Sequence, residues 1–237
     1  MLPEITTLFA PAKLTLSLRV TGIREDGMHL IDAEMVTLDF GDTLEVGPGT
    51  AVVYHGTYEG EGDGSDLVSR ALDLVGEQRA VRVTKRIPAG AGLGGGSSDA
   101  AAILRAAGFG DLSAAASIGA DIAFCVCGGR ARVRGIGEVV EPLPFRDLAF
   151  TLLTPPLHCS TPAVYQAWDE LGGPTGDNGN DLESAALLVE PRLAVWRDRL
   201  SEHAGKPARL AGSGSTWFVE GSFPGEDMVV ASTQPPE

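Results

Sequence analysis

Pro88-Ala89-Gly90-Ala91-Gly92-Leu93-Gly94-Gly95-Gly96-Ser97-Ser98-Asp99 runs straight into Ala100-Ala-Ala-Ile-Leu-Arg-Ala-Ala107, and the alternating Val81-Arg-Val-Thr-Lys-Arg-Ile87 leads into it. Five glycines in the seven residues from 90 to 96 permit positive φ, so successive N–H groups can converge on one anion. The alanine run behind them is among the best helix-forming stretches of the chain. Its N-terminus supplies free N–H donors and a partial positive charge, with Ser97, Ser98 or Asp99 expected as the cap. Strand, glycine loop and helix together predict an anion cradle, whose usual occupant is phosphate.

The kind of cradle is narrowed by what surrounds it. A P-loop needs Gly-Lys-Ser/Thr at its end, whereas no lysine follows these glycines and Gly205-Lys206 is followed by Pro207. Gly90-Ala-Gly92-Leu-Gly94-Gly95 satisfies G-x-G-x-x-G, with Asp111 at about the right distance beyond it. The preceding strand alternates apolar and polar, however, where a doubly wound core wants a continuously apolar one. Dinucleotide binding is therefore disfavoured.

Working outward, Lys13-Leu14-Thr15-Leu16-Ser17-Leu18 has the period of a half-buried strand, which predicts Lys13, Thr15 and Ser17 on the face turned away from the core. Residues 21–29 read as a turn around Asp26-Gly27, 30–46 as a second strand, and glycine-rich 47–65 as an exposed loop. Helices are expected over 66–78, 113–118, 162–171 and, as one long element, 182–203. Asp121 heads the apolar Ile122 to Cys127, Arg130 to Val140 reads as strand broken at Gly135-Ile-Gly137, and a further strand is expected at 149–154. Leu210-Ala-Gly-Ser-Gly-Ser-Thr-Trp-Phe-Val219 reads as a glycine turn feeding a strand, and the tail after Gly225 as loose. Residues 141–148 are the expected linker between two domains, 1–147 and 148–237.

Composition excludes several classes. The 237 residues are 43% hydrophobic and 21% charged, an ordinary globular balance. The net charge of −14 repels a polyphosphate backbone, so nucleic acid is not an expected partner, although a small phosphorylated ligand held by local groups is. Cys125, Cys127 and Cys159 suggest neither a disulfide framework nor a metal site, which fits a cytoplasmic setting. MLPEITTLFAPAK lacks a basic start followed by an apolar stretch, and no apolar run approaches membrane-spanning length, so no membrane association is expected.

Four blocks in order, Pro11-Ala-Lys13-Leu, Pro88-x-x-x-Gly92-Leu-Gly-Gly-Gly-Ser-Ser-Asp-Ala-Ala, Gly119-Ala-Asp121-Ile-Ala-Phe and Gly212-Ser213-Gly214-Ser215, resemble the motifs of the GHMP small-molecule kinases across essentially the whole chain. The resemblance implies an α+β, two-domain GHMP kinase fold, with a ribosomal-protein-S5-like ATP-binding domain and a smaller ferredoxin-like one. It implies ATP and Mg2+ as cofactors, residues 88–99 as the phosphate loop, Asp121 as the base and Lys13 as its partner. Gly212 and Ser213 would lie on the substrate side of a block that closes over the loop. Asp26-Gly-Met-His29 and Asn180-Asp-Leu-Glu183 resemble the branch acting on the 2-hydroxyl of cytidine diphosphate-linked methylerythritol in non-mevalonate isoprenoid synthesis. In that branch an aromatic residue before the loop histidine and another in the second domain sandwich the cytosine, and the histidine reads its polar edge. His29 and Tyr165 match, whereas Met28 stands where tyrosine is usual and Thr15 where asparagine is common. These departures keep two alternatives open: another GHMP kinase acting on homoserine, a mevalonate-type alcohol or a sugar, and a nucleotide-binding descendant of weak activity. The expected assembly is a monomer or homodimer.

Overall fold

The computed structural model describes residues 5–236. Its spine is an antiparallel hairpin of β1 (Thr6–Ile23) and β2 (His29–Gly47), paired from Thr6↔Val46 to Ile23↔His29 with register shifts between Pro11/Lys13, Thr15/Ser17 and Val20/Gly22. β3 (Val52–Gly56) and β4 (Gly60–Glu61) follow, then α1 (Leu67–Val75), β5 (Ala80–Lys85), α2 (Gly95–Ala106), α3 (Leu112–Ile118) and α4 (Ile122–Cys127). β6 (Arg130–Gly135), β7 (Val139–Pro142), β8 (Ala149–Leu153), α5 (Thr161–Glu170), α6 (Glu183–Val189) and α7 (Leu193–Ala204) come next, and β9 (Arg209–Leu210), β10 (Trp217–Glu220) and β11 (Met228–Gln234) close the chain.

The strands form one continuous sheet in the order β4-β3-β5-β2-β11-β8-β10-β9, with β1 and β6 also paired to β2, and β7 to β6. Helices pack against it in an α+β arrangement. The alanines of α2 let that helix approach closely, and Ala100, Ala101, Ala102, Ile103 and Leu104 are buried in a core shared with Val81, Val83, Ile122 and Phe124. Trp217, Phe150 and Phe218, all fully buried, fill the region around β8 and β10.

Four expectations are corrected. Residues 47–65 are not a free loop: β3 pairs in parallel with β5, and Val52 and Tyr54 are buried. The long helix over 182–203 is two, because Pro191 cannot continue the hydrogen-bond ladder and α6 stops at Val189. The tail beyond Gly225 is ordered as β11, whose Met228 to Ser232 pair with β8 while Thr233 and Gln234 pair with β2, so this strand joins the two halves of the sheet. Finally, Lys13 and Thr15 do not face solvent; they are 5% and 2% exposed. The glycine loop covers that face of β1.

Candidate active site

The loop after β5 takes positive φ at Gly90 (69°), Gly92 (76°) and Gly94 (71°), which a side chain would resist. Close approach adds a second requirement. A Cβ on Gly92 would sit 2.4 Å from the Ala211 carbonyl oxygen, and one on Gly94 2.7 Å from Lys13 Cγ. The loop is thus packed between β1 and the 211–216 turn, with Lys13 N donating to Leu93 O at 3.0 Å and Thr216 N to Ala91 O at 3.1 Å. α2 begins one turn earlier than expected. Gly94 is its cap, without a side-chain hydrogen bond, so Ser97, Ser98 and Asp99 lie inside the first turns and none of them caps the helix.

What the three side chains do instead follows from their direction. Ser97 lines the cleft, whereas Ser98 is fully buried with its Oγ 3.5 Å from Cys125 Sγ. Asp99 is 1% exposed, and its Oδ2 accepts from Lys85 Nζ at 2.6 Å, the same ammonium that donates to Asp42. Asp42 is also satisfied by the backbone N–H groups of Arg86 (2.5 Å) and Ile87 (2.8 Å). Asp99 Oδ1, by contrast, has no hydrogen-bond partner among the described residues. Burial pushes the Asp99 carboxyl well up, with the Lys85 charge opposing the shift and the Asp42 charge reinforcing it.

Opposite the loop, Lys13 Nζ lies 3.2 Å from Asp121 Oδ2 and 3.1 Å from Thr15 Oγ1. Asp121 precedes α4 but makes no side-chain cap bond, which leaves its carboxylate for Lys13. The ammonium is nearly enclosed while the carboxylate is 34% exposed to the cleft, the arrangement of a proton acceptor steadied by a buried cation. The Cys125 thiol, one turn along α4, is pushed up to about 12 by burial and is chemically quiet.

The far end of the cleft is built from the β1–β2 turn and α5. Asp26 holds the turn by accepting from Met28 N at 3.2 Å and pairing with Arg24, which keeps its carboxyl down at about 2. His29, the next residue, has its ring 4.6 Å from that of Tyr165, and Met28 is 44% exposed beside it. Burial raises the Tyr165 phenol above its ordinary range, and the Asp121 charge adds to the effect. Ser213 Oγ meets Thr161 Oγ1 at 2.8 Å, tying the 211–216 turn to the start of α5. Asn180 braces that turn from beneath, donating to Leu210 O (2.9 Å) and Gly212 O (2.7 Å). The whole forms one cavity of about 1050 Å³, lined by Pro88 through Ser97, Lys13, Thr15, Asp121, Met28, His29, Tyr165, Gly212 and Ser213.

The family described as GHMP kinases N terminal domain matches residues 66–129. The 4-diphosphocytidyl-2-C-methyl-D-erythritol kinase of Paracoccus denitrificans (strain Pd 1222) is 35% identical, over 88% of this chain and 84% of its own. That of Ruegeria pomeroyi is 37% identical, over 92% and 88%. The chain belongs to the GHMP kinases. A crystal structure of 4-(cytidine 5'-diphospho)-2C-methyl-D-erythritol kinase superposes with a TM-score of 0.75 at 29% identity, covering 96% of this GHMP kinase and 98% of that chain.

As a GHMP kinase the protein uses ATP to phosphorylate a small molecule. Of the residues singled out from sequence, Ser98 alone faces away from the cleft, and Asp99 reaches its wall only as part of a buried ion trio. The partners of that trio, Asp42 and Lys85, were not anticipated, nor were Asn180 as a brace or Asp169, which bonds His29. Among the described residues no helix is long and apolar enough to cross a membrane, and no cluster of three His, Cys, Asp or Glu could hold a metal ion by itself.

Proposed function

We propose that this kinase transfers the γ-phosphoryl group of ATP to the 2-hydroxyl of 4-diphosphocytidyl-2-C-methyl-D-erythritol. The observation that carries the reading is the Lys13–Asp121 pair, 3.2 Å apart, in one cavity with the glycine loop at one end and His29 and Tyr165 at the other. Triphosphate lies along the loop and the N-terminus of α2, where backbone N–H groups meet its charge. Asp121 accepts the proton of the 2-hydroxyl as its oxygen attacks phosphorus; the new O–P bond forms, the bond to the β-phosphate oxygen breaks, and ADP leaves. Lys13 holds the Asp121 carboxylate in place and offers its positive charge to the phosphoryl oxygens as charge spreads over them. Thr15 fixes the ammonium from the other side.

The donor set suits a magnesium ion that arrives on ATP: Asp121 and Ser97 offer oxygen at the cleft, and among the described residues no group of three His, Cys, Asp or Glu forms a protein cage. Bound there, Mg2+ would neutralise phosphate charge. The free thiols of Cys125, Cys127 and Cys159 fit a cytoplasmic enzyme. The element-free stretch 143–148 fits a boundary between an ATP-binding domain and a smaller one.

The test is a coupled ADP assay of the purified protein with Mg-ATP and a panel of alcohols. The cytidyl substrate should give the highest kcat/KM. Turnover on homoserine, mevalonate or a sugar with none on the cytidyl compound would overturn the assignment.

A further inference from the structure

His29 is gripped from α5 by three side chains. Asp169 Oδ1 lies 2.9 Å from His29 Nε2, Tyr165 packs on the ring at 4.6 Å with a 33° tilt, and Trp168 meets it edge-on at 5.7 Å. Tyr165 and Asp169 are four apart on the helix and therefore project on the same side. Trp168 is itself anchored, its indole N–H donating to Pro174 O at 2.9 Å. The imidazole side chain is only 13% exposed, although His29 opens β2 at the edge of the β1–β2 turn. A grip of this kind fixes more than position.

An ionised carboxylate can only accept, so the Nε2 facing Asp169 carries the hydrogen. In the neutral ring Nδ1 is then a bare acceptor, and no described residue hydrogen-bonds to it. We propose that Asp169 is a positioning residue that sets the His29 tautomer, so that Nδ1 accepts from an exocyclic amino group of the bound base and rejects a carbonyl at that place. Resting on the cytidyl reading above, the inference makes Asp169 the determinant of cytosine over uracil. Cytosine presents an amino donor where uracil presents a carbonyl, and that carbonyl would meet the Nδ1 lone pair. Without Asp169 the ring can move its hydrogen to Nδ1 and serve either base.

The experiment is calorimetric binding of CDP and UDP to the full chain at pH 8, with the ATP site filled by a non-hydrolysable ATP analogue. One mispaired buried group corresponds to roughly 10- to 100-fold, so wild type should favour CDP by about that factor. Asp169→Asn should cut the CDP/UDP ratio at least about fivefold without changing affinity for the ATP analogue, and Asp169→Glu should restore part of it. A purely structural role would weaken both ligands alike. If wild type favours CDP and Asp169→Asn and Asp169→Ala keep its ratio, Asp169 does not set the tautomer. If wild type shows no preference, the cytidyl reading itself fails.

Discussion

Lys85 supports two buried carboxylates at once, and removing it should cost far more than neutralising one of them. Asp42 and Asp99 are 0% and 1% exposed and share the single ammonium, so at pH 8, above the raised range of Asp99, the trio carries one net negative charge inside the protein. Lys85→Met leaves both carboxylates without a cation. Breaking a buried pair costs about 3–5 kcal/mol, which for a chain of this size lowers Tm by roughly 6–20 °C. Asp99→Asn removes the excess charge instead. An amide oxygen can still accept from Lys85, and its NH2 takes the place of an oxygen that has no partner. Stability at pH 8 should therefore stay within about 1 kcal/mol of wild type or exceed it.

The pH dependence separates the same two ideas. Burial pushes the Asp99 carboxyl up to about 7, above its unfolded value. The folded state then holds a proton that the unfolded chain has released, so this group's contribution is greatest on the acid side and declines as pH rises from about 4 to 7. Asp99→Asn should flatten that decline. Urea midpoints at pH 5, 6, 7 and 8 for the three proteins are the assay. A loss above about 3 kcal/mol for Asp99→Asn with less than 1 for Lys85→Met would refute the assignment of charges.

Two further outcomes follow from the loop and α4. Gly94→Ala places a methyl 2.7 Å from Lys13 Cγ at a φ of +71°; folding should lose only about 1–2 kcal/mol while kcat drops on the order of 100-fold, as steady-state kinetics beside a melting curve would register. Alkylation with iodoacetamide at pH 8, read by mass spectrometry, should modify half-buried Cys127 first and spare Cys125 and Cys159 until the protein is unfolded, because burial raises all three thiols but encloses only the latter two. Early labelling of Cys125 would contradict the enclosed α4.

The legible parts of the chain were those whose signal is local. Glycines at 90, 92 and 94 announce a turn whatever lies around them, and the alternation of β1 needs no partner to be seen. β11 is different: Met228 to Gln234 is a short run beside two prolines, and only pairing with β2 and β8, far away in sequence, orders it. The break at Pro191 was readable, since proline interrupts a helix ladder, but the periodicity of the flanking segments masked it. Val52-Val53-Tyr54 likewise carried a β-branched and aromatic signal hidden among glycines.

For the site, residue types were legible and their directions were not. Lys13 and Thr15 alternate outward as period two requires, yet outward from the core here means into the loop. Ser98 and Asp99 follow the glycines as capping residues do, but the helix starts at Gly95, and so both turn inward. Asp169 had a visible relation to Tyr165 along the helix, whereas its partner His29 lies 140 positions away and only the fold brings them together.

The central claim is that Asp121, steadied by Lys13, takes the proton from the substrate's 2-hydroxyl. Asp121→Asn compared with wild type, measuring kcat on the cytidyl substrate and the dissociation constant of ATP in parallel, tests it most directly. Turnover should fall by about 10²- to 10⁴-fold with ATP binding nearly unchanged. A variant that releases ADP at the wild-type rate would show that proton transfer runs through another group.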